Sequence, residues 1–66
     1  MEIQDLIDEG LTLEDASMAL EAYHSSRIEG AKTITAKRLA EMIIREECHE
    51  NTTHSIVVTY RKHMFL

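Results

Sequence analysis

One long helix dominates the pattern of this 66-residue chain, and it is encoded by residues 12–30, TLEDASMALEAYHSSRIEG. Thr12 is suited to begin it, because a threonine hydroxyl accepts a hydrogen bond from a free backbone N–H of the first turn. Gly30 is suited to end it, because glycine adopts the left-handed conformation of a helix end at little cost. These signals predict a helix over about residues 13–29.

The two faces of this helix are predicted to have different tasks. At about 100° per residue, one face carries an apolar stripe that is expected to pack on the core. The stripe consists of Leu13, Ala16, Leu20 and Tyr23. The residues nearly opposite are expected to stay free for another protein, and they are Met18, Ala22, Ser25 and Glu29.

Working outward, the flanking segments predict two further helices. The first covers residues 2–9 and stops at Gly10. The other covers residues 36–48, begins at Thr35 as its cap, and has a predicted packing face. That face consists of Ala36, Leu39, Ala40, Ile43 and Ile44. The fold class is therefore all-α, a small bundle of three helices in a single domain over residues 1–66.

The C-terminal tail permits two predictions. Residues 56–60, IVVTY, have high strand propensity. Ile56, Tyr60 and Met64 also share one face at helical spacing. The tail is thus a fourth helix or a short strand, and a helix or an irregular tail is favoured because a single strand would need the sheet edge of another molecule.

The charge, the cysteine content and the hydropathy of the sequence narrow the classes of protein to which this chain could belong. The net charge is −5, and residues 1–24 carry seven carboxylates but no Lys or Arg. This acidic segment favours a basic partner surface and disfavours nucleic acid. Cys48 is the only cysteine, which excludes an internal disulfide and is typical of a reducing compartment. The sequence also has no membrane-spanning run and no signal-peptide pattern, so a cytoplasmic protein is predicted.

The residues with the most specific pattern are 25–30, SSRIEG, at the end of the long helix. Ser25 and Glu29 are four residues apart, so a hydroxyl and a carboxylate project from the same helix face. The string resembles the inhibitory-helix motif of Fic-domain AMP-transferases and of their small antitoxins, Ser/Thr-x-x-x-Glu-Gly/Asn. Arg27 and Ile28 also match residue types that the antitoxins favour at those positions.

The resemblance implies a function as a protein inhibitor. A Fic enzyme transfers AMP from ATP to a protein hydroxyl, and an active-site arginine holds the γ-phosphate. Glu29 would pair with that arginine and block the phosphate site, while Ser25 would form hydrogen bonds at the interface and Gly30 would let the chain turn away. Arg27 would pair with a partner carboxylate, with Glu21 or with Glu41. The partner that the resemblance implies is a Fic-domain toxin in a heterodimer, which Met18 and Ala22 would also contact.

Two other binding functions remain open. The acidic segment favours a small inhibitor or adaptor of the phage type that covers a basic nucleic-acid-binding surface. Alternatively, residues 35–41 and 55–64 form the two helices of a helix-turn-helix, with Arg61 and Lys62 contacting phosphates. The acidic first helices and the long turn over residues 46–53 disfavour that DNA-binding alternative.

No enzyme, metal site or cofactor is predicted. The chain has no phosphate-binding glycine loop, and His24 has no clear nucleophile or orienting carboxylate beside it. The spacing of Cys48, His49, His54 and His63 does not match a recognised zinc framework.

Overall fold

A computed structural model of the protein describes residues 1–45 and 52–64, and those residues form four helices and no strand. The helices are α1 (Ile3–Asp8), α2 (Leu13–Ile28), α3 (Ala36–Ile44) and α4 (Thr53–Met64). The all-α prediction is confirmed, and the tail is a fourth helix, so the strand alternative is wrong. The residues beyond 45 in the predicted third helix, up to 48, lie outside the described part of the chain.

Threonine caps begin the two helices for which they were predicted. The Thr12 hydroxyl oxygen accepts a hydrogen bond from the Asp15 N–H at 3.1 Å, and Thr35 accepts one from the Arg38 N–H at 3.1 Å. Each contact satisfies a backbone donor that lacks a partner within its helix. The caps therefore fix where α2 and α3 begin.

Glycine ends α2 in the manner that the sequence predicts. Gly30 has φ 102°, in the left-handed region, and its N–H bonds the Arg27 carbonyl at 3.1 Å. The Ala31 N–H donates a hydrogen bond to the Ser26 carbonyl at 2.9 Å, and the two hydrogen bonds together form a Schellman motif. Gly10, at φ 108°, ends α1 with the same backbone conformation. The chain thus turns sharply after Glu29.

The buried face of α2 consists of small side chains. Its fully buried residues are Ala16, Ala19, Ala22 and Ser26. Short side chains let a neighbouring helix approach closely, and α4 packs more extensively on α2 than any other helix does. Ile56 and Tyr60 of α4 are fully buried in the core that results, as the helical spacing of the tail predicts.

This packing corrects the predicted faces of α2 and α3. Ala22, predicted to be free for a partner, is fully buried, and Met18 is half-buried against the core. Leu13, predicted to lie in the core, is 67% exposed. In α3, Leu39, Ala40 and Ile43 are buried as predicted, but Met42 is buried in addition and Ile44 is exposed. The spacing of large apolar residues was misleading because close helix contact in α2 selects alanine and serine.

Candidate functional site

The motif residues lie at the C-terminal end of α2. Glu29 is the residue that caps this end, and its side chain is 57% exposed. Ser25, one turn earlier, is also exposed, as is Gly30. The Ser25 and Glu29 side chains are therefore both accessible to solvent at this end of α2.

The carboxylate of Glu29 forms an ion pair within its own chain. Arg61 of α4 places Nη1 2.7 Å from Glu29 Oε2, and its side chain is 32% exposed. The Nε–H group of Arg61 also donates to the hydroxyl of the buried Ser26 at 3.4 Å. One guanidinium thus bridges two positions of α2 that are three residues apart. Glu29 is consequently neither buried nor without a counter-ion.

Arg61 and Ser26 were missed as neighbours of Glu29. Ser26 lies inside the motif string, and its spacing of three from Glu29 indicates adjacency on a helix. Arg61 is 32 residues away in sequence, and no local pattern relates it to Glu29. Only the packing of α4 on α2 brings these residues together.

Arg27 has a different contact from those proposed for it within the chain. Its Nη1 donates to the backbone carbonyl of Ala31, just beyond the helix end, rather than to Glu21 or Glu41. The residue as a whole is exposed. Arg27 therefore helps to hold the turn that follows Glu29.

α4 also holds the connection between α2 and α3. The Tyr60 hydroxyl donates to the Lys32 carbonyl, and the Lys32 N–H donates to the Met64 carbonyl at 3.2 Å. The Tyr60 ring meets Tyr23 edge to face, with a centroid separation of 6.0 Å and an interplanar angle of 84°. Contacts from α4 thus reach both sides of the motif.

The buried phenol of Tyr60 is expected to make the fold less stable at alkaline pH. Burial, with a further contribution from Tyr23 and a partial offset by Arg27, raises the pKa of Tyr60 above its usual value of about 10. Above that pH the unfolded chain releases the proton more readily than the folded chain does. The free energy of unfolding should therefore fall as the pH rises beyond about 10.

Tyr60→Phe isolates this effect. The variant should be less stable than wild type at pH 8 by about 1 kcal/mol, because the Lys32 carbonyl loses its donor. Between pH 8 and 11, the free energy of unfolding should fall less steeply for the variant than for the wild type, as measured by urea unfolding at each pH. Equal slopes for the two proteins would contradict a coupling between Tyr60 ionisation and folding.

The six predicted partner-contact residues therefore divide into two groups. Four lie exposed together around the end of α2: Ser25, Arg27, Glu29 and Gly30. Ala22 is inside the α2 packing face and Met18 lies at its margin, so Ala22 is not available to another protein. Ile28, which was not among the six, is 86% exposed beside the carboxylate.

The histidine and cysteine residues considered for catalysis or metal binding are not brought into a site within the described part of the chain. His24 is exposed, and its ring lies 5.4 Å from that of Tyr23. Within residues 1–45 and 52–64, no three His, Cys, Asp or Glu side chains are grouped as metal ligands, and Cys48 and His49 lie outside those ranges. None of the four helices has the length and apolar character needed to cross a bilayer.

The proposed DNA-binding pair of helices is arranged differently from expectation. α4 packs principally along α2, and Arg61, assigned to phosphate contact, is paired with Glu29. A helix-turn-helix instead presents its second helix to the major groove, with basic side chains directed at the DNA. The geometry does not favour this function.

Comparison of the chain with protein-family models, with curated proteins and with solved structures found no match. The functional interpretation therefore depends on residues 25–30 and on their geometry at the end of α2.

Proposed function

We propose that this protein is an antitoxin-like inhibitor of a Fic-domain AMP-transferase and that Glu29 is its blocking group. The carboxylate pairs with the enzyme arginine that holds the γ-phosphate of ATP. With that arginine occupied, ATP is not held in the pose needed for AMP transfer. The observation that carries the proposal is the exposed carboxylate of Glu29 at a sharply terminated helix end.

The chemistry of the two groups supports this competition. A guanidinium offers parallel N–H donors that match either a carboxylate or a phosphate, so both can occupy the same site. Glu29 is the last residue before the left-handed turn at Gly30, and the chain then leaves the helix axis. The carboxylate therefore lies at the end of the helix, where another protein can contact it.

The contact surface is narrower than the whole face of α2. Ser25 and Glu29 are exposed and provide its polar groups, and the adjacent Ile28 provides an apolar side chain. Ala22 contributes indirectly, because it is fully buried in the core that holds the motif helix in place. Arg27 supports the turn through the Ala31 carbonyl.

The test is an AMP-transfer assay with a purified Fic enzyme, sought first in the neighbouring reading frame, using labelled ATP and the wild-type protein or Glu29→Gln. Inhibition by the wild type and its loss in Glu29→Gln would support the proposal. Equal inhibition by both proteins would show that Glu29 is not the blocking group. No inhibition by the folded wild type would refute the proposed function itself.

The acidic segment favours a second candidate function, an inhibitor that covers a basic nucleic-acid-binding surface. All of its seven carboxylates except Asp15 are exposed, so they present a negative surface. That function predicts that the triple variant Asp5→Asn, Asp8→Asn, Glu9→Gln loses partner binding. Under the Fic-inhibitor proposal, the same variant retains most of its inhibition and Glu29→Gln does not.

A further inference from the structure

The counter-ion of Glu29 bears on how the site works. A surface carboxylate is ordinarily surrounded by water, and its interaction with a partner competes with hydration alone. Here one of its oxygens, Oε2, is already 2.7 Å from a guanidinium nitrogen of Arg61. The site that would bind a foreign arginine is thus occupied by an arginine of the same chain.

The position of Arg61 is fixed by more than this ion pair. Its Nε–H group donates to the Ser26 hydroxyl, and Ser26 is fully buried. The preceding residue, Tyr60, is fully buried in the core and anchors α4 at this level. The packing of α4 on α2 and the Ser26 contact therefore hold the guanidinium beside Glu29 in addition to the ion pair itself.

We propose that Arg61 is an intramolecular counter-ion that the arginine of a partner has to displace from Glu29. This inference rests on the proposed function. A two-pronged guanidinium–carboxylate contact uses both carboxylate oxygens, so a partner arginine would share the oxygen that Arg61 already contacts. Two guanidinium groups at one carboxylate also repel each other. Arg61 thereby lowers the affinity of Glu29 for any arginine site and favours partners that compensate through further contacts.

The test compares inhibition of the same Fic enzyme by the wild type, Arg61→Gln and Lys62→Gln. Lys62 is the exposed neighbour of Arg61 on α4, so its variant removes the same charge from the same region. An exposed ion pair is worth up to about 1 kcal/mol, which corresponds to roughly fivefold in affinity. Arg61→Gln should therefore inhibit at a concentration about two- to fivefold lower, and Lys62→Gln should behave as the wild type.

A measurement on the chain alone verifies the pair. The thermal midpoints of wild type, Glu29→Gln, Arg61→Gln and the double variant form a thermodynamic cycle. The inference expects the two substitutions to be non-additive, the double variant losing less than the sum of the single losses. Strict additivity would show that the two groups do not interact, and the inference would be wrong.

The outcomes separate this inference from the proposed function. If the wild type inhibits and Arg61→Gln inhibits equally or more weakly, Arg61 does not compete and only the inference is refuted. Weaker inhibition would show instead that Arg61 orients Glu29 for its partner. If the folded wild type does not inhibit at all, the proposed function fails and the inference fails with it.

Discussion

Replacement of Glu29 by Gln is expected to abolish most of the inhibition of a Fic AMP-transferase by this protein. Gln keeps the size of the side chain and removes only the charge. The enzyme arginine would then face an amide in a pocket closed to water. Loss of one member of such a desolvated pair costs about 2 kcal/mol or more, which is roughly a 30-fold rise in the concentration needed for inhibition.

The chain offers a matched control for this variant. Glu21 is an exposed carboxylate on the same helix, and Glu21→Gln changes the net charge by the same amount. It should inhibit as the wild type does, while far-ultraviolet circular dichroism should show the same helix content for both variants. If Glu21→Gln lost inhibition as severely as Glu29→Gln, total negative charge would be the cause.

The second large effect is expected at Ala22. Substitution by Leu inserts three carbon atoms into the fully buried face that α2 presents to the core. Leucine is a good helix former, so a destabilised variant reports packing and not helix propensity. Overpacking of this kind costs about 1–3 kcal/mol. In a domain of this size the thermal midpoint should fall by roughly 5–20 °C.

Leu13→Ala provides the contrasting variant. Leu13 is 67% exposed, and its truncation should change the free energy of unfolding by no more than about 0.5 kcal/mol. Sequence periodicity alone predicts the reverse, with Leu13 in the core and Ala22 on a free face. Thermal unfolding of the two variants therefore distinguishes the packing described above from the one that periodicity predicts.

The sequence was informative where the signals are local. The Thr12 and Thr35 caps and the left-handed end at Gly30 each depend on one side chain and the backbone next to it, and all three were predicted. Interactions of this range are contained within a few residues, so a single sequence reveals them. The sequence leaves the tail open, because the spacing of Ile56 and Tyr60 indicates a helix while residues 56–60 have high strand propensity.

The remaining features depend on which helices meet. The buried face of α2 was predicted in part: Ala16 is buried as expected, but Ala22 and Ser26 carry little hydrophobic signal and were not assigned to the core. The Arg61 contact with Glu29 joins residues from different helices. Neither feature can be predicted from the spacing of residues within a single helix. The candidate site was located by its local string, while its internal counter-ion was not.

The division of α2 into a packed half and a solvent half has a practical consequence for retargeting. Ser25 and Ile28 are exposed and lie outside the core, so their codons can be randomised in a library while the core stays unchanged. The buried alanines of α2, Ala16, Ala19 and Ala22, should stay constant in every clone. Selection from such a library would sample new recognition preferences on an unchanged scaffold.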